Sequence, residues 1–340
     1  MAERKEFRCG VVGYGGAFNM GRAHLASMQK NPGMIAAAVC ELDDARRKVA
    51  KEDFPGISTY GSVGQMLRHS DLDLVSIITP HNTHAKLAIQ CLDAKVGVVV
   101  EKPMAISSKE VKAMMAMAKR RKVMLSTFHN RRWDGDFMLL RDLIQKENMI
   151  GRVFRVEAGF GGYDKAPDWW RADKKVSGGA IYDWGAHFTD WILNLVTDDI
   201  DWVSGYQVKN KAWGKDYTNE DHSEYFLKFK TGCVANLMIS NMALSSRPKW
   251  RILGDQGSIE GVGNNEFLVK SIVNGRQMQT TIAPSDSSWD AYYQNVYRHL
   301  QGREKLVITP ESAARVIGVL EAANVSAIKQ GGAPVKPAFV

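Results

Sequence analysis

Cysteine is scarce in this 340-residue chain. The four that occur, Cys9, Cys40, Cys91 and Cys233, lie far apart, and the first three fall inside apolar strand or helix patterns, where a thiol behaves as a small hydrophobe. That distribution suggests neither a disulfide framework nor a zinc site, and no metal is expected. Long apolar runs are missing too: no stretch approaches the roughly 18 to 20 apolar residues that a membrane helix requires. The opening MAERKEFR runs directly into a strand pattern without the apolar region of a signal peptide, so the expected setting is the cytoplasm. Charge of one sign is mild. The formal net charge of +8 comes from lysines and arginines scattered along the chain, not from the dense basic tract that nucleic acid binding uses. What is present is 45% hydrophobic residues on a length that exceeds one core, so two domains are expected.

Residues 7 to 127 alternate short apolar runs with helical patterns: FRCGVV, a helix from Gly21, MIAAAVC, a helix from Asp44, DLVSIIT, a helix near His84, VGVVVE, a helix from Ser107, and VMLST. This alternation predicts a parallel sheet with crossover helices on both faces. Continuous apolarity in VGVVV and LVSII places those strands inside it. Ser107, with Glu110 three residues on, forms a capping box that starts its helix. After about Arg132 the pattern changes. A helix over 137–147 leads into RVFRVEAGF, and WVSGYQVKN, SEYFLKFK, CVANLMIS, KWRILG and FLVKSIV follow with few helices between them. They predict a large, mostly antiparallel open sheet, with KTG at 230–232 as a hairpin turn and helices near 180–196, near 289–301 and after Pro310.

The segment Gly13-Tyr14-Gly15-Gly16-Ala17-Phe18-Asn19-Met20-Gly21 joins the first strand to the first helix. Glycines there allow a tight turn and close backbone approach before a helix N-terminus whose amides suit a pyrophosphate. The usual spacing is GxGxxG, and here the helix-opening glycine arrives three residues late. A glycine-rich turn that holds no ligand is the plain alternative. Glu41 closes the second strand, where a carboxylate accepts hydrogen bonds from the adenosine ribose hydroxyls and repels a 2′-phosphate, which favours NAD over NADP. Arg46 and Arg47 follow closely, either to offset that repulsion or as a solvated helix face. The fold class is therefore α/β: an N-terminal Rossmann domain over residues 1–128 and a C-terminal α+β domain over residues 129–340.

Thr79-Pro80-His81-Asn82-Thr83-His84 and Glu101-Lys102-Pro103 follow later strands of the first sheet, at the carboxyl edge where open α/β sheets bind ligands. Lys102 after VVVE needs a partner or a ligand for its charge, unless it is a surface lysine in a turn. In the second half, Gly178-Gly179-Ala180-Ile181-Tyr182-Asp183-Trp184-Gly185-Ala186-His187 sets Asp183 and His187 four residues apart, which predicts one helix face. An imidazole beside a carboxylate suits the movement of a hydroxyl proton, although a capped or core-satisfied pair has the same pattern. Asp168-Trp169-Trp170-Arg171, with Tyr163 and Trp184, offers flat faces and a fork of donors of the kind that bind pyranose rings; core packing is the competing explanation. Arg131 is counted with this substrate group.

Taken together, GVVGYGG, TPHNTH, EKP, GGAIYDWGAH and a C-terminal helix ending near Gly331 resemble the Gfo/Idh/MocA family of oxidoreductases over nearly the whole chain. The resemblance implies that Gly13, Gly15, Gly16, Gly21 and Glu41 serve a nicotinamide dinucleotide, that Thr79, Pro80, Asn82, His84 and Glu101 lie near it, and that Lys102, Asp183 and His187 are catalytic. It implies hydride transfer between NAD, less so NADP, and a hydroxyl-bearing carbon of a sugar, inositol or glycoside. Either His187 or Lys102 takes the proton. The alternative within the same resemblance is redox-neutral glycoside cleavage by transient oxidation, elimination, hydration and re-reduction. A non-enzymatic dinucleotide sensor ranks below both, because all three proton-transfer candidates are present. The resemblance further implies homodimers joined sheet to sheet, sometimes paired into tetramers, which suits a sheet with too few helices to cover both its faces.

Overall fold

The apolar run FRCGVV forms β1 (Phe7–Val12), buried everywhere except at Arg8, as a strand covered on both faces must be. The computed structural model describes residues 6–164, 169–209, 217–245 and 247–340. After β1 the chain alternates α1 (Met20–Gln29), β2 (Met34–Cys40), α2 (Asp44–Asp53), β3 (Ser58–Tyr60), α3 (Val63–His69), β4 (Leu74–Ile77), α4 (His84–Asp93), β5 (Gly97–Val100), α5 (Ser108–Arg121) and β6 (Leu125–Thr127). The strands build one parallel sheet in the order β3-β2-β1-β4-β5-β6. Strands β2 and β3 step outward on one side of β1, and β4 opens the other side. The order therefore reverses between β1 and β4, which makes a crevice at their carboxyl ends.

Local chemistry sets the helix starts. Asp43 accepts from the amides of Ala45 and Arg46 to open α2, Ser62 from Gln65 to open α3, and Ser107 from Glu110 to open α5. The Ser107 hydroxyl also donates to the Glu110 carboxylate at 2.9 Å, and that carboxylate takes the Ile106 amide at 3.2 Å, one residue before the amide used in the expected capping box. The sequence reading passed over β3 and α3, because a three-residue strand carries too little periodicity to register.

The described residues group into two units. The first comprises Met1–Asn130 and Asp290–Ala313, and the second Arg131–Trp289 and Ala314–Val340. The late return to the first unit brings α9 (Ala291–Leu300) onto α1, where Asp290 accepts from Ser27 at 2.7 Å and from Lys30 at 2.6 Å. The last helix, α10 (Pro310–Lys329), begins at the proline that the sequence marks.

In the second unit, α6 (Gly135–Arg141) precedes β7 (Val153–Gly161), α7 (Lys174–Ser177) and α8 (Trp184–Leu195). Then come β8 (Ile200–Val208), β9 (His222–Phe229), β10 (Val234–Ser240), β11 (Trp250–Gly254), β12 (Gly257–Gly261), β13 (Phe267–Val273) and β14 (Arg276–Ile282). The eight strands run in the order β14-β13-β12-β11-β7-β10-β9-β8, antiparallel except for the β10–β7 pair. The KTG hairpin joins β9 to β10, with Gly232 in the left-handed region at φ 91°. Strands β12 and β14 are additions to the sequence reading: the first is a glycine-flanked GSIEG and the second, RQMQTTI, is polar and exposed nearly throughout.

Helix α8 packs on β7 and β10 and is buried on almost every side. A buried ion pair fixes it: Arg132 grips Asp190 through two hydrogen bonds of 2.8 and 2.6 Å. Strand β9 shows what this leaves over. Ser223, Tyr225, Leu227 and Phe229 are buried, while the alternate residues His222, Glu224, Phe226 and Lys228 are not. That second face mixes apolar and charged groups, with the Arg155 guanidinium over the Phe226 ring and Lys228 over Trp202. Among the described residues no helix is long and apolar enough to cross a membrane.

Candidate functional site

The first unit offers a cradle at the switch point. Gly13 follows β1 with φ 102°, and a β-carbon there would stand 2.1 Å from the Ile78 carbonyl oxygen at the end of β4. Glycine is required by both strain and space. Gly21 at the start of α1 is equally closed, with Gly13 O and Tyr14 Cδ2 at 2.6 and 2.7 Å from a notional β-carbon. Gly15 differs: nothing lies within 4 Å of that direction, and what Gly16 meets first is the Arg46 guanidinium. Bare backbone beside a ten-residue helix N-terminus is what a pyrophosphate fits.

The residues beyond β2 strap this loop through both backbone groups of one residue, Tyr14. Glu41 accepts from the Tyr14 amide at 2.6 Å, and Arg46 donates to the Tyr14 carbonyl at 2.8 Å and to Asn19 Oδ1 at 3.1 Å. The extra residues of the glycine segment are thereby held: Asn19 adopts a left-handed conformation, φ 49°, immediately before α1. Glu41 Oε1 also accepts from Asp43 N at 3.1 Å, so the carboxylate expected on a ribose already serves two backbone amides. Arg47 turns to the Glu41 and Leu42 carbonyls. The strap by Arg46 went unread in the sequence, where a solvated helix face explained the arginine equally well.

Two expected cofactor segments are joined by one imidazole. His84, fully buried, places its ring nitrogens 2.8 Å from the Thr79 and Pro103 carbonyls, tying TPHNTH to EKP. Burial pushes this imidazole below its ordinary value, while the Pro103 and Thr79 carbonyls that face its nitrogens pull the other way. Thr79 and Thr83 hydroxyls meet at 2.7 Å beside Pro80, and Asn82 is exposed at the tip. Glu101 accepts from Lys102 N at 3.0 Å and from His24 Nε2 at 3.0 Å. Burial works against its charge, but the His24 hydrogen bond and the nearby Lys102 charge outweigh it and hold the carboxyl below the usual range.

In the second unit the structure corrects the expected helix face. Asp183 is the residue before α8, not within it, and its side chain makes no capping hydrogen bond, because a one-turn 3-10 segment, Ala180–Tyr182, delivers the chain there. His187 lies one turn inside α8, buried between the Trp184 and Trp191 rings. Arg171 stacks over Trp169 and Trp170, at 4.5 and 4.4 Å from their centroids, and approaches Asp183 at 3.7 Å. Arg131 lies over Trp184 and Trp289 at 4.7 and 5.1 Å and pairs with Asp134 at 3.0 Å. Tyr163 is 52% exposed, its backbone bridging to Met242. Asp168, read with the tryptophan cluster, lies outside the described residues.

Two supporting groups carried no sequence signal. Glu220, 3% exposed, accepts from Ile181 N and from Lys174 Nζ and fills the space over Gly179, whose φ is 122°. Trp289 donates to Asp134 at 2.5 Å. Each depends on a partner far along the chain, which spacing cannot reveal.

Residues 7–129 match the model of the oxidoreductase family with NAD-binding Rossmann fold, and residues 137–260 match the GFO/IDH/MocA C-terminal domain. The chain belongs to the Gfo/Idh/MocA oxidoreductase family. It has an NAD(P)-binding Rossmann domain, and the family acts on small molecules. The chain is 32% identical over 189 residues to the uncharacterized oxidoreductase YdgJ of Escherichia coli (strain K12), a match that takes in 55% of this chain and 53% of that protein, about half its length. It is 22% identical to scyllo-inositol 2-dehydrogenase (NADP(+)) IolW of Bacillus subtilis (strain 168), over 93% of this chain and 92% of that one. An NAD-binding protein from Listeria innocua shares the fold with a TM-score of 0.85 and 24% identity, across 97% of this chain and 99% of that chain.

The two glycine environments predict opposite mutant behaviour. Gly13→Ala should lower the thermal midpoint by more than about 5 °C and abolish NADH binding, since left-handed strain and a backbone clash both apply. Gly15→Ala should leave the midpoint within about 2 °C yet weaken NADH at least about fivefold, by intruding where phosphate would approach. Fluorescence titration beside thermal unfolding checks this; a Gly15→Ala protein that binds NADH normally overturns it.

Proposed function

We propose that the chain oxidises a hydroxyl-bearing carbon of a sugar, an inositol or a related polyol, with NAD as its redox partner. The observation that carries this reading is the Glu101-Lys102-Pro103 turn, fixed at the carboxyl end of β5 by Glu101 and His84 and two strands from β1 with its open glycine cradle. The name of the Bacillus relative, an inositol dehydrogenase, supports the polyol class. A bound nicotinamide supplies the acceptor for the hydride that leaves the carbon. The hydroxyl proton passes to His187 or Lys102 as the carbonyl forms, Lys102 also stabilises charge developing on the oxygen, and Asp183 orients the substrate. Arg131, Tyr163, Trp169, Trp170, Arg171 and Trp184 are the substrate-contacting candidates.

Replacing either proton-transfer candidate tests the reading. Lys102→Ala and His187→Ala should each lower kcat at least about 100-fold while NADH still binds, the usual size of acid–base and oxyanion effects. Asp183→Asn should cost less if it only positions substrate. A panel of sugars and inositols followed by NADH absorbance reads the outcome, and near-normal turnover in both alanine variants would sink the site.

For the cofactor, the Bacillus relative's NADP(+) and this chain's Glu41 point in different directions, and Glu41 decides our choice, because a carboxylate at that place repels a 2′-phosphate. NADH should bind more tightly than NADPH. Glu41→Ser loosens the Tyr14 strap, which weakens both nucleotides alike, but it should narrow their ratio. Wild-type preference for NADPH would refute the assignment and promote Arg46.

We also propose a homo-oligomer joined through the outer face of the eight-stranded sheet, where Tyr206 and Phe226 are 59% and 37% exposed on neighbouring strands. Light scattering after size exclusion should return twice or four times the 37.9 kDa of one chain, and a value near 37.9 kDa at micromolar concentration would reject it.

A further inference from the structure

Behind the Lys102 turn lies a run of polar groups that the proposed chemistry does not use. Glu101 Oε1 is 3.0 Å from His24 Nε2 on α1. His24 Nδ1 is 2.5 Å from the Tyr293 hydroxyl on α9, which lies 2.8 Å from Ser76 Oγ on β4. His24, Ser76 and Tyr293 are all at most 1% exposed. Four stretches separated by up to 269 residues thus converge on one carboxylate.

We propose that His24 and Tyr293 are positioning residues of the Lys102 site: with Ser76 they form a buried hydrogen-bonded arm that pins the Glu101 carboxylate against the Lys102 backbone. This rests on the reading of Lys102 as a site residue. An ionised carboxylate only accepts, so His24 presents its Nε2 proton to it. With that proton on Nε2, Nδ1 accepts from the Tyr293 hydroxyl, which in turn accepts from Ser76. Every donor points toward Glu101, and each bond polarises the next. The arm ends on Ser76, wholly buried in the middle of the sheet, so it gives a proton no exit to solvent and serves to hold. Packing alone does not call for it. The Phe128 ring sits 4.2 Å from the His24 ring, and an aliphatic side chain would fill that space without the desolvation that two buried polar groups incur. The second Glu101 oxygen, fixed by the same arm, accepts the Lys102 amide at 3.0 Å.

Tyr293→Phe removes one hydroxyl at constant shape, and His24→Leu cuts the arm at its centre. Amide hydrogen exchange, resolved by NMR, should accelerate at Lys102 at least about tenfold in both variants and stay unchanged at Val75 and Val99 of the neighbouring strands. With NAD and myo-inositol as probes, kcat should fall about 5- to 50-fold while the KM for myo-inositol and the Kd for NADH stay within about twofold, the signature of lost placement and not lost binding. His24→Gln, which keeps a donor toward Glu101, should recover part of kcat. Unchanged exchange at Lys102 in Tyr293→Phe overturns the proposal, and so does acceleration shared equally by Val75 and Val99, which would make the arm ordinary packing. A wild-type protein that oxidises no polyol sinks the functional reading only, because the exchange measurement still decides the arm.

Discussion

Everything on the nucleotide side of this protein depends on one close approach, that of the Gly13 backbone to the carbonyl of Ile78. Strands β1 and β4 are adjacent and parallel, and the chain leaves β1 so tightly that any β-carbon at position 13 would overlap that oxygen. The turn frees the following residues to pass over the sheet edge with bare backbone exposed. It also hands Tyr14 to the β2–α2 segment, where Glu41 takes its amide and Arg46 its carbonyl. One residue held at both its amide and its carbonyl explains how a glycine segment three residues longer than usual keeps an ordered path into α1.

The second unit solves a similar placement problem with buried charge. Asp190 in α8 is matched by Arg132, and Glu220 by Lys174 together with the Ile181 amide. Buried carboxylates of this kind are costly to desolvate and strongly destabilising once a partner is lost, so they specify an arrangement more than they add stability. Here one fixes the helix that carries His187, and the other fixes the glycine turn that delivers Asp183. The aromatic rings then pack around that frame, with Phe188, Trp191 and Trp250 in mutual contact.

Most of the architecture was legible because it is written in local periodicity. FRCGVV, LVSI and GVVV are strands buried on both faces, and SEYFLKF alternates as a strand with one covered face does. Capping chemistry at Ser107 and the proline at 310 marked helix starts for the same reason. What escaped falls into two physical classes. Short or polar strands such as STY and RQMQTTI lack a hydrophobic signature. Long-range polar partners, among them Arg46 with Tyr14, Glu220 with Ile181 and Tyr293 with His24, are chosen by the fold and leave no spacing to read. The i, i+4 relation of Asp183 and His187 was visible, but a helix that starts one residue later puts the acid at its threshold.

These observations separate the charges of the molecule into two kinds. Glu101, Asp190 and Glu220 are held by hydrogen bonds of about 3 Å or less in surroundings from which water is largely excluded, so exchanging their partners for a ligand would expose an unpaired buried charge at a cost of several kcal/mol. Arg171 and Asp183 form the opposite case. They are partly exposed, stand 3.7 Å apart and derive much of the arginine's placement from two indole faces, an arrangement worth about 1 kcal/mol or less as an ion pair. Such a contact can be exchanged with little penalty while the cation remains stacked. Rigid buried carboxylates set the frame, and the partly exposed pair at the start of α8 is the one that can change with the least disturbance to the fold.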